Sequence, residues 1–314
     1  MESHGKIEWK GDILMELRLL EYFLAVAREQ SISAAAQSLH LSQPTLSTQL
    51  KSLEKEVGHQ LLVRGTKGCR RVTLTEEGML LRQRAEEILD LVRKTQTELS
   101  LSADTIAGDV CIGAGETQII RLFARTADAL QKQYPLIHYH IFSGNASSVL
   151  EQLDKGLIDF GLVYGPVDAA RYDALKIPIQ DTWGVLMRRD SPLAANPAVR
   201  PEDLWDKPLI ISAQKSDDWP LFGWFGQDVS RLNVVATYNL ILNASWLTSE
   251  GLGYTLCFDG LVNTTGDSDL CFRPLSPTLT TQASLIWKRY QVFSRAAEKF
   301  LKQLQLSLEQ FRTS

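Results

Sequence analysis

Three short helical patterns between residues 17 and 58, broken by abrupt turns, constrain this chain more than any other feature. Leu20, Phe23, Leu24 and Ala27 follow i, i+3, i+4, i+7 spacing and predict a first helix over residues 17–28. Ser33 is placed to cap a second helix over 34–39, which is rich in alanine, the best helix former. His40 and Leu41 make the turn. Ser42 then caps a third helix that tolerates Pro44 in its first turn, buries Leu46, Leu50, Leu53 and Val57, and stops at Gly58. Two helices joined by a short turn, with a third packed below, form a helix-turn-helix.

Residues 60–74 alternate loosely around a glycine-containing tip and predict a hairpin, whose tip carries the basic cluster. Thr75 caps the next helix, with Glu76 and Glu77 complementing its dipole. That helix runs to about residue 101. Leu81, Ala85, Ile88, Val92, Thr95 and Leu99 repeat along it with the 3.5-residue period of a coiled-coil seam. A lone helix cannot bury such a seam, so the expected partner is the same helix of a second chain.

After Gly108 the texture changes. Short β-rich runs at 110–113, 139–142, 160–163, 185–187, 209–211, 254–258 and 285–287 alternate with helical stretches near 117–133, 147–154, 223–229, 240–250 and 293–311. Strand–helix alternation predicts an α/β domain with mostly parallel sheets. Its length allows division into two lobes.

The net charge of −4 alone argues against a nucleic-acid partner, but the charge is unevenly placed. Residues 15–103 carry a net of +1 and residues 104–314 a net of −4, and Arg64, Lys67, Arg70 and Arg71 cluster without an acid among them. A local basic patch on an acidic protein suits a factor that touches DNA with one end. No apolar run approaches the ~20 residues of a membrane span. Lys6, Glu8, Lys10 and Asp12 interrupt any signal-peptide core, and together these features place the protein in the cytoplasm without a membrane partner. Met15-Glu16-Leu17-Arg18 looks like a natural start, and Lys10-Gly11-Asp12 is encodable as a ribosome-binding sequence. Residues 1–14 are therefore read as an upstream over-call or a dispensable extension.

Cys69, Cys111, Cys257 and Cys271 form no CxxC pair and have no histidine at zinc-ligand spacing, which favours reduced, mostly buried thiols. A redox pair of Cys257 and Cys271 across one loop is the weaker alternative. His138 and His140 share one face of a strand without a placed ligand partner, so no metal site is expected. No GxSxG, P-loop, HExxH or GxGxxG arrangement supports an enzyme. Trp183, Trp205, Trp219, Trp224 and Trp246 enrich the second half in indoles, expected mostly in the core, with Trp219 or Trp224 a candidate wall of a cleft.

Leu19-Leu20-Glu21-Tyr22-Phe23 through Ser31-Ile32-Ser33-Ala34-Ala35-Ala36, then the run from Leu41 through Leu50, resemble the opening and recognition helix of the LysR-type transcriptional regulators. Leu53-Glu54, Gly58, Leu61-Leu62-Val63-Arg64 and Leu74-Thr75-Glu76-Glu77-Gly78 continue the resemblance in order, and the α/β texture extends it to about residue 311. The wing, Gly65 through Arg71, is longer than usual for the family. The resemblance implies an N-terminal all-α winged helix-turn-helix with a long linker helix, then a C-terminal α/β, two-lobed effector domain like the periplasmic binding proteins. It divides the chain into an extension (1–14), a DNA-binding domain (15–75), a linker and dimerisation helix (76–105) and an effector domain (106–314). Lobe I of the effector domain is 106–181 with 280–314, and lobe II is 182–279. The implied partners are double-stranded promoter DNA, a second copy in a homodimer or dimer of dimers, RNA polymerase, and a small-molecule co-inducer. No cofactor is implied. A solute-binding protein shares the effector fold, but the N-terminal DNA module and the lack of a leader argue against it.

A recognition helix sets its N-terminal residues against base edges in the major groove. Gln43 is placed to bond adenine, and Ser33, Ser42, Pro44, Thr45, Ser47 and Thr48 suit base edges or phosphates. Lys51, Arg64, Lys67, Arg70 and Arg71 suit phosphates or the minor groove. The dimerising seam is carried by Leu81, Ala85, Ile88, Val92 and Leu99. The family's ligand residues lie in turns after strands, which places the effector site at Thr117, Gln118, Ser143, Asn145, Tyr164, Ser212 and Asn239. Each of these is equally a helix cap or turn residue, and residue type alone does not separate the two. Glu116 is unusual at an anion-binding turn, since its charge opposes a carboxylate ligand unless the ligand carries an amine or Glu116 points away.

Overall fold

A computed structural model describes residues 15–64, 71–100, 106–213, 220–226 and 229–313. Readings that fall on residues 1–14, Lys67, Cys69, Arg70, Trp219 or the Arg64 side chain lie outside the described residues. The chain divides after Leu99 into two compact units.

In the first unit, α1 (Leu17–Glu29) buries Leu19, Leu20, Phe23, Ala25 and Val26. Helix α2 (Ile32–Ser38) starts earlier than predicted. Its cap is Ser31, whose hydroxyl accepts from the Ala34 N–H, and not Ser33. Ile32 packs against the core, so it must lie inside the helix, and Ser33 is left exposed on the first turn. Helix α3 (Gln43–Val57) is capped by Ser42, carries Pro44 in its first turn, and ends at Gly58 with φ of 73°. Phe23, Val26, Ala35, Ala36, Leu46, Leu50 and Leu53 close one core between the three helices.

Strands β1 (Leu62–Arg64) and β2 (Val72–Leu74) pair antiparallel. Each is tied to a helix by a polar bond. The Glu54 carboxylate of α3 accepts from the Leu61 and Leu62 N–H groups at 2.9 and 3.1 Å, and the Val72 N–H donates to the Gln30 carbonyl at 2.8 Å. Helix α4 (Glu76–Ser100) is capped by Thr75, which accepts from the Gly78 N–H and donates to the Gln60 carbonyl.

The seam along α4 begins inside the protomer. Ala85 is 0% exposed and, with Leu89, is covered by Leu20 of α1, while Leu81 and Ile88 pack around the same cluster. Ala85 is therefore withdrawn as a dimerisation residue, because its own domain already covers it. Farther along, Leu91 and Leu99 are exposed, Leu99 by 81%.

The second unit carries β3 (Gly108–Ala114), α5 (Ile120–Gln131), β4 (Ile137–Ser143), α6 (Ala146–Asp154), β5 (Phe160–Tyr164) and β6 (Tyr172–Arg188). It continues with β7 (Leu209–Ser212), α7 (Pro220–Phe225), β8 (Val234–Tyr238), α8 (Ile241–Ser249), β9 (Tyr254–Phe258), β10 (Leu270–Pro274), β11 (Thr280–Lys288) and α9 (Arg295–Thr313). The strands follow the order β4-β3-β5-β11-β6-β9-β7-β8, with β10 also on β6. The sheet is mixed rather than mostly parallel. Strands β3, β4 and β5 run parallel, as do β7, β8 and β9, but β11 and β6 run antiparallel to their neighbours.

Strand β6 joins the two halves. Its residues up to Thr182 pair with β11, and from Trp183 onward it pairs with β9. Val110, Ile112, Phe123, Phe160 and Phe300 lie in the core on one side of this crossing, and Val185, Leu209, Leu256 and Leu275 in the core on the other. Of the indoles, Trp183 and Trp224 pack in or against that second core, whereas Trp205 and Trp246 are exposed, contrary to expectation.

Gly78 starts α4 hard against the hairpin: a Cβ there would come within 2.2 Å of the Leu61 carbonyl oxygen. Because that neighbour is backbone, Gly78→Ala is expected to cost ~1–3 kcal/mol, read as a lower urea midpoint at unchanged slope. An unchanged midpoint would show that the hairpin shifts freely.

Candidate nucleic-acid interface and interlobe site

Caps and turns set the geometry of the first unit's polar end. With Ser31 as the cap of α2, the Ser33 hydroxyl is free to reach α3, where it donates to Gln43 Oε1 at 3.1 Å. That bond holds the exposed Gln43 amide from its carbonyl side and leaves the NH2 group as its outward donor. The Ser42 and Thr45 hydroxyls lie 2.7 Å apart while Ser42 accepts from the Thr45 N–H, and Thr48 returns its proton to the Pro44 carbonyl at 2.9 Å. Ser42, Thr45 and Thr48 thus spend part of their bonding capacity on the helix itself. Ser47 is half-buried, and Lys51 is exposed two turns along α3 from Gln43. Arg71 immediately precedes β2 on the loop side of the hairpin with its Nε on Gln30 Oε1 at 2.7 Å, so this wing cation is held by the end of α1.

In the second unit the turn after β3 does three things in succession. Glu116 Oε2 accepts from the Ile241 N–H at the start of α8, at 2.5 Å. The buried Thr117 hydroxyl accepts from the Ile119 N–H and donates to Asp181 Oδ2 at 2.6 Å. Gln118 Nε2 donates to the Asp259 carbonyl at 2.8 Å. Tyr164 at the end of β5 gives its hydroxyl proton to the same Asp181 oxygen at 2.5 Å. Burial, then the adjacent Asp181 charge, push the Tyr164 phenol far above its ordinary range, so it stays a donor. Burial likewise raises the Glu116 carboxyl, with the Ile241 N–H acting in the opposite direction.

Thr117, Gln118 and Tyr164 therefore meet in one network, and the structure adds Glu116, Asp181 and the Asp259 carbonyl to it. The Tyr164 ring lies 5.3 Å from that of Phe258, which lies 4.4 Å from Trp183. Ser143, Asn145 and Asn239 make no hydrogen bond to this network among the described residues. Asn145 is a helix cap, its Oδ1 accepting from the Ser148 N–H and the Ser147 hydroxyl. Ser143 and Asn239 are exposed at strand ends, and Ser212 is half-buried after β7. A groove of about 270 Å³ lined by Arg188, Ser191, Thr248 and Tyr254 shares no residue with the network.

Cys257 and Cys271 cannot form the redox pair considered from sequence. Cys257 stands opposite Gly184 and Cys271 opposite Met187, an odd separation along β6 that sends the side chains to opposite faces. They lie in different core clusters, and burial pushes the Cys257 thiol up to about 12. Among the described residues no group of histidine, cysteine and acidic side chains is arranged to hold a metal, and no helix is long and apolar enough to cross a membrane.

Asp181 is 4% exposed and receives its described side-chain hydrogen bonds from two hydroxyls. Thr117→Val removes one of them at constant shape and is expected to cost ~1–3 kcal/mol, seen as a lower thermal midpoint. A midpoint equal to wild type would mean that Asp181 does not depend on this donor.

Residues 17–79 match the model of the bacterial regulatory helix-turn-helix protein, lysR family, and residues 103–308 match the LysR substrate binding domain. The Hca operon transcriptional activator HcaR of Escherichia coli (strain K12) is 30% identical over 283 residues, covering 88% of this chain and 92% of its own. The transcriptional regulator BudR of Raoultella terrigena is 27% identical, covering 92% of this chain and 99% of its own. Full-length CbnR in complex with its target DNA has the same fold at a TM-score of 0.75 and 22% identity, over 93% of this chain and 100% of that one. The matched models and these relatives are regulators and not enzymes. Helix-turn-helix and substrate-binding domain are both present, in family order, and the chain belongs to the LysR family of transcriptional regulators.

Proposed function

We propose that this regulator binds double-stranded promoter DNA as a homodimer or dimer of dimers in the cytoplasm, and that a small molecule held between the lobes of residues 106–314 controls it. The observation that carries the DNA half is the Ser33–Gln43 bond at the exposed start of a capped α3. An amide held from one side is pre-oriented, which lowers the entropy lost when it meets a base edge. Gln43 is then the base reader, Ser33 its positioning residue, and Lys51 and Arg71 the phosphate contacts. The DNA-bound CbnR structure supports this use of the fold.

The effector half rests on Thr117, Gln118 and Tyr164, which join a network spanning the β6 crossing. Helix α4 supplies the dimerisation helix, with Val92 and Leu99 on the part of the seam beyond the internally packed Leu81, Ala85 and Ile88. RNA polymerase is the natural further partner at a promoter. The effector is a regulatory ligand and not a cofactor.

A gel shift with the promoter DNA flanking the gene tests the reading: retention of that DNA but not of scrambled DNA is expected. Gln43→Ala should weaken operator binding by ~1–3 kcal/mol and relax preference at one base pair. Lys51→Ala should weaken all sequences alike and flatten the salt dependence. A Gln43→Ala protein with unchanged operator preference refutes the assignment of the reader.

A further inference from the structure

We propose that Glu116 is a tethered anionic ligand: carried on the turn after β3, its carboxylate occupies the N-terminus of α8 and closes the interlobe site against free carboxylates. The inference rests on the interlobe reading above and specifies the chemistry of that site.

Helix α8 needs an acceptor that its own sequence does not provide. Its N-cap residue is Leu240, which makes no side-chain cap bond, so the Ile241 N–H would otherwise be an unmet donor at the positive end of a nine-residue helix. Glu116 meets it from 125 residues away across the β6 crossing. A second bond two residues on seats the same turn: Gln118 Nε2 on the Asp259 carbonyl. The neighbouring residue is shaped for that seating. Gly260 has φ of 69°, and a Cβ there would come within 2.0 Å of Gln118 Nε2. Glu116 and Gln118 thus rivet the turn to α8 and to the end of β9.

A helix N-terminus facing a cleft is ready to accept an anion. Here an intramolecular carboxylate already fills it, at the high effective concentration that tethering confers. A free carboxylate at this end of α8 would be set against the Glu116 carboxylate itself. Like charges in a shared site disfavour ionisation of both. The site therefore rejects carboxylates while Glu116 is in place. The effector it accepts is neutral or carries a positive charge against Glu116, with Tyr164 and Phe258 as the adjoining rings.

The test is chemical rescue in the full-length protein with acetate as the probe. Glu116→Ala is expected to lower the thermal midpoint by roughly 2–4 °C and to speed amide exchange in the peptide containing Ile241. Sodium acetate should restore both saturably in Glu116→Ala, sodium chloride at matched ionic strength should not, and wild type should respond to neither. Glu116→Gln, whose amide oxygen still accepts from Ile241, should fold, keep the peptide protected and ignore acetate. If Glu116→Ala does not fold, Glu116→Asp takes its place: the shortened carboxylate should leave Ile241 faster-exchanging than in Glu116→Gln. Equal acetate effects on wild type and Glu116→Ala, or protection of Ile241 unaltered by removing or shortening the carboxylate, overturn the proposal. Promoter retention by wild type reads the regulator assignment separately. Its loss sinks that assignment and leaves the tethered carboxylate standing, whereas retention with a Glu116→Ala protein that does not respond to acetate sinks only the latter.

Discussion

Asp181 is a carboxylate in the wrong place for a carboxylate. It lies at the crossing of β6 from one half of the effector unit to the other, almost fully out of water. Burying such a group costs several kcal/mol unless hydrogen bonds replace its hydration. Those bonds come from Thr117 and Tyr164, each at the end of a parallel strand, and each is thereby held in a single orientation. The turn after β3, the end of β5 and the crossing strand are thus specified together, and no one of them can shift without exposing an unmet oxygen. Glu116 and Gln118 flank Thr117, so the contacts they make across the crossing inherit its rigidity.

The DNA-binding unit solves a smaller version of the same problem. A two-stranded hairpin is marginal on its own. Glu54 accepts two N–H groups from the start of β1, and the left-handed Gln30 presents its carbonyl to β2 and its side chain to Arg71. The hairpin is therefore pinned to α3 on one strand and α1 on the other. These polar bonds fix the register of strands whose Leu62 and Val72 side chains are buried in the same core as the three helices.

Local chemistry was legible in advance. Ser42, Gly58 and Thr75 cap as their spacing predicts because a cap involves only the next few residues. Ser31 and Ser33 are both competent caps of α2, and the choice between them depends on where Ile32 packs, which is a tertiary fact. Only the apolar end of β6 is predicted as a strand; its first half alternates Leu175, Ile177 and Ile179 with exposed Lys176, Pro178 and Gln180, a strand pattern that the proline obscures. The role of Asp181 was not legible, because its donors lie 64 and 17 residues away in sequence. Glu116 was visible as a conflict of charge with an anion site, and the partner that resolves the conflict is half the domain away.

The seam of α4 shows most clearly what a periodicity does and does not contain. From Leu81 to Leu99 the repeat marks a single apolar stripe, yet that stripe has two environments. Its first turns are covered by Leu20, a residue of the helix-turn-helix itself, and its last turn is bare. Spacing identifies which face of a helix is apolar and is silent on what covers it. The internal contact has a mechanical consequence. Because Leu20 belongs to α1, and α1 packs against α3, the direction of α4 is fixed to that of the recognition helix by a packed core. A partner seated on the bare end of α4 would thereby set the separation of two recognition helices, which is the quantity that half-site spacing on DNA measures.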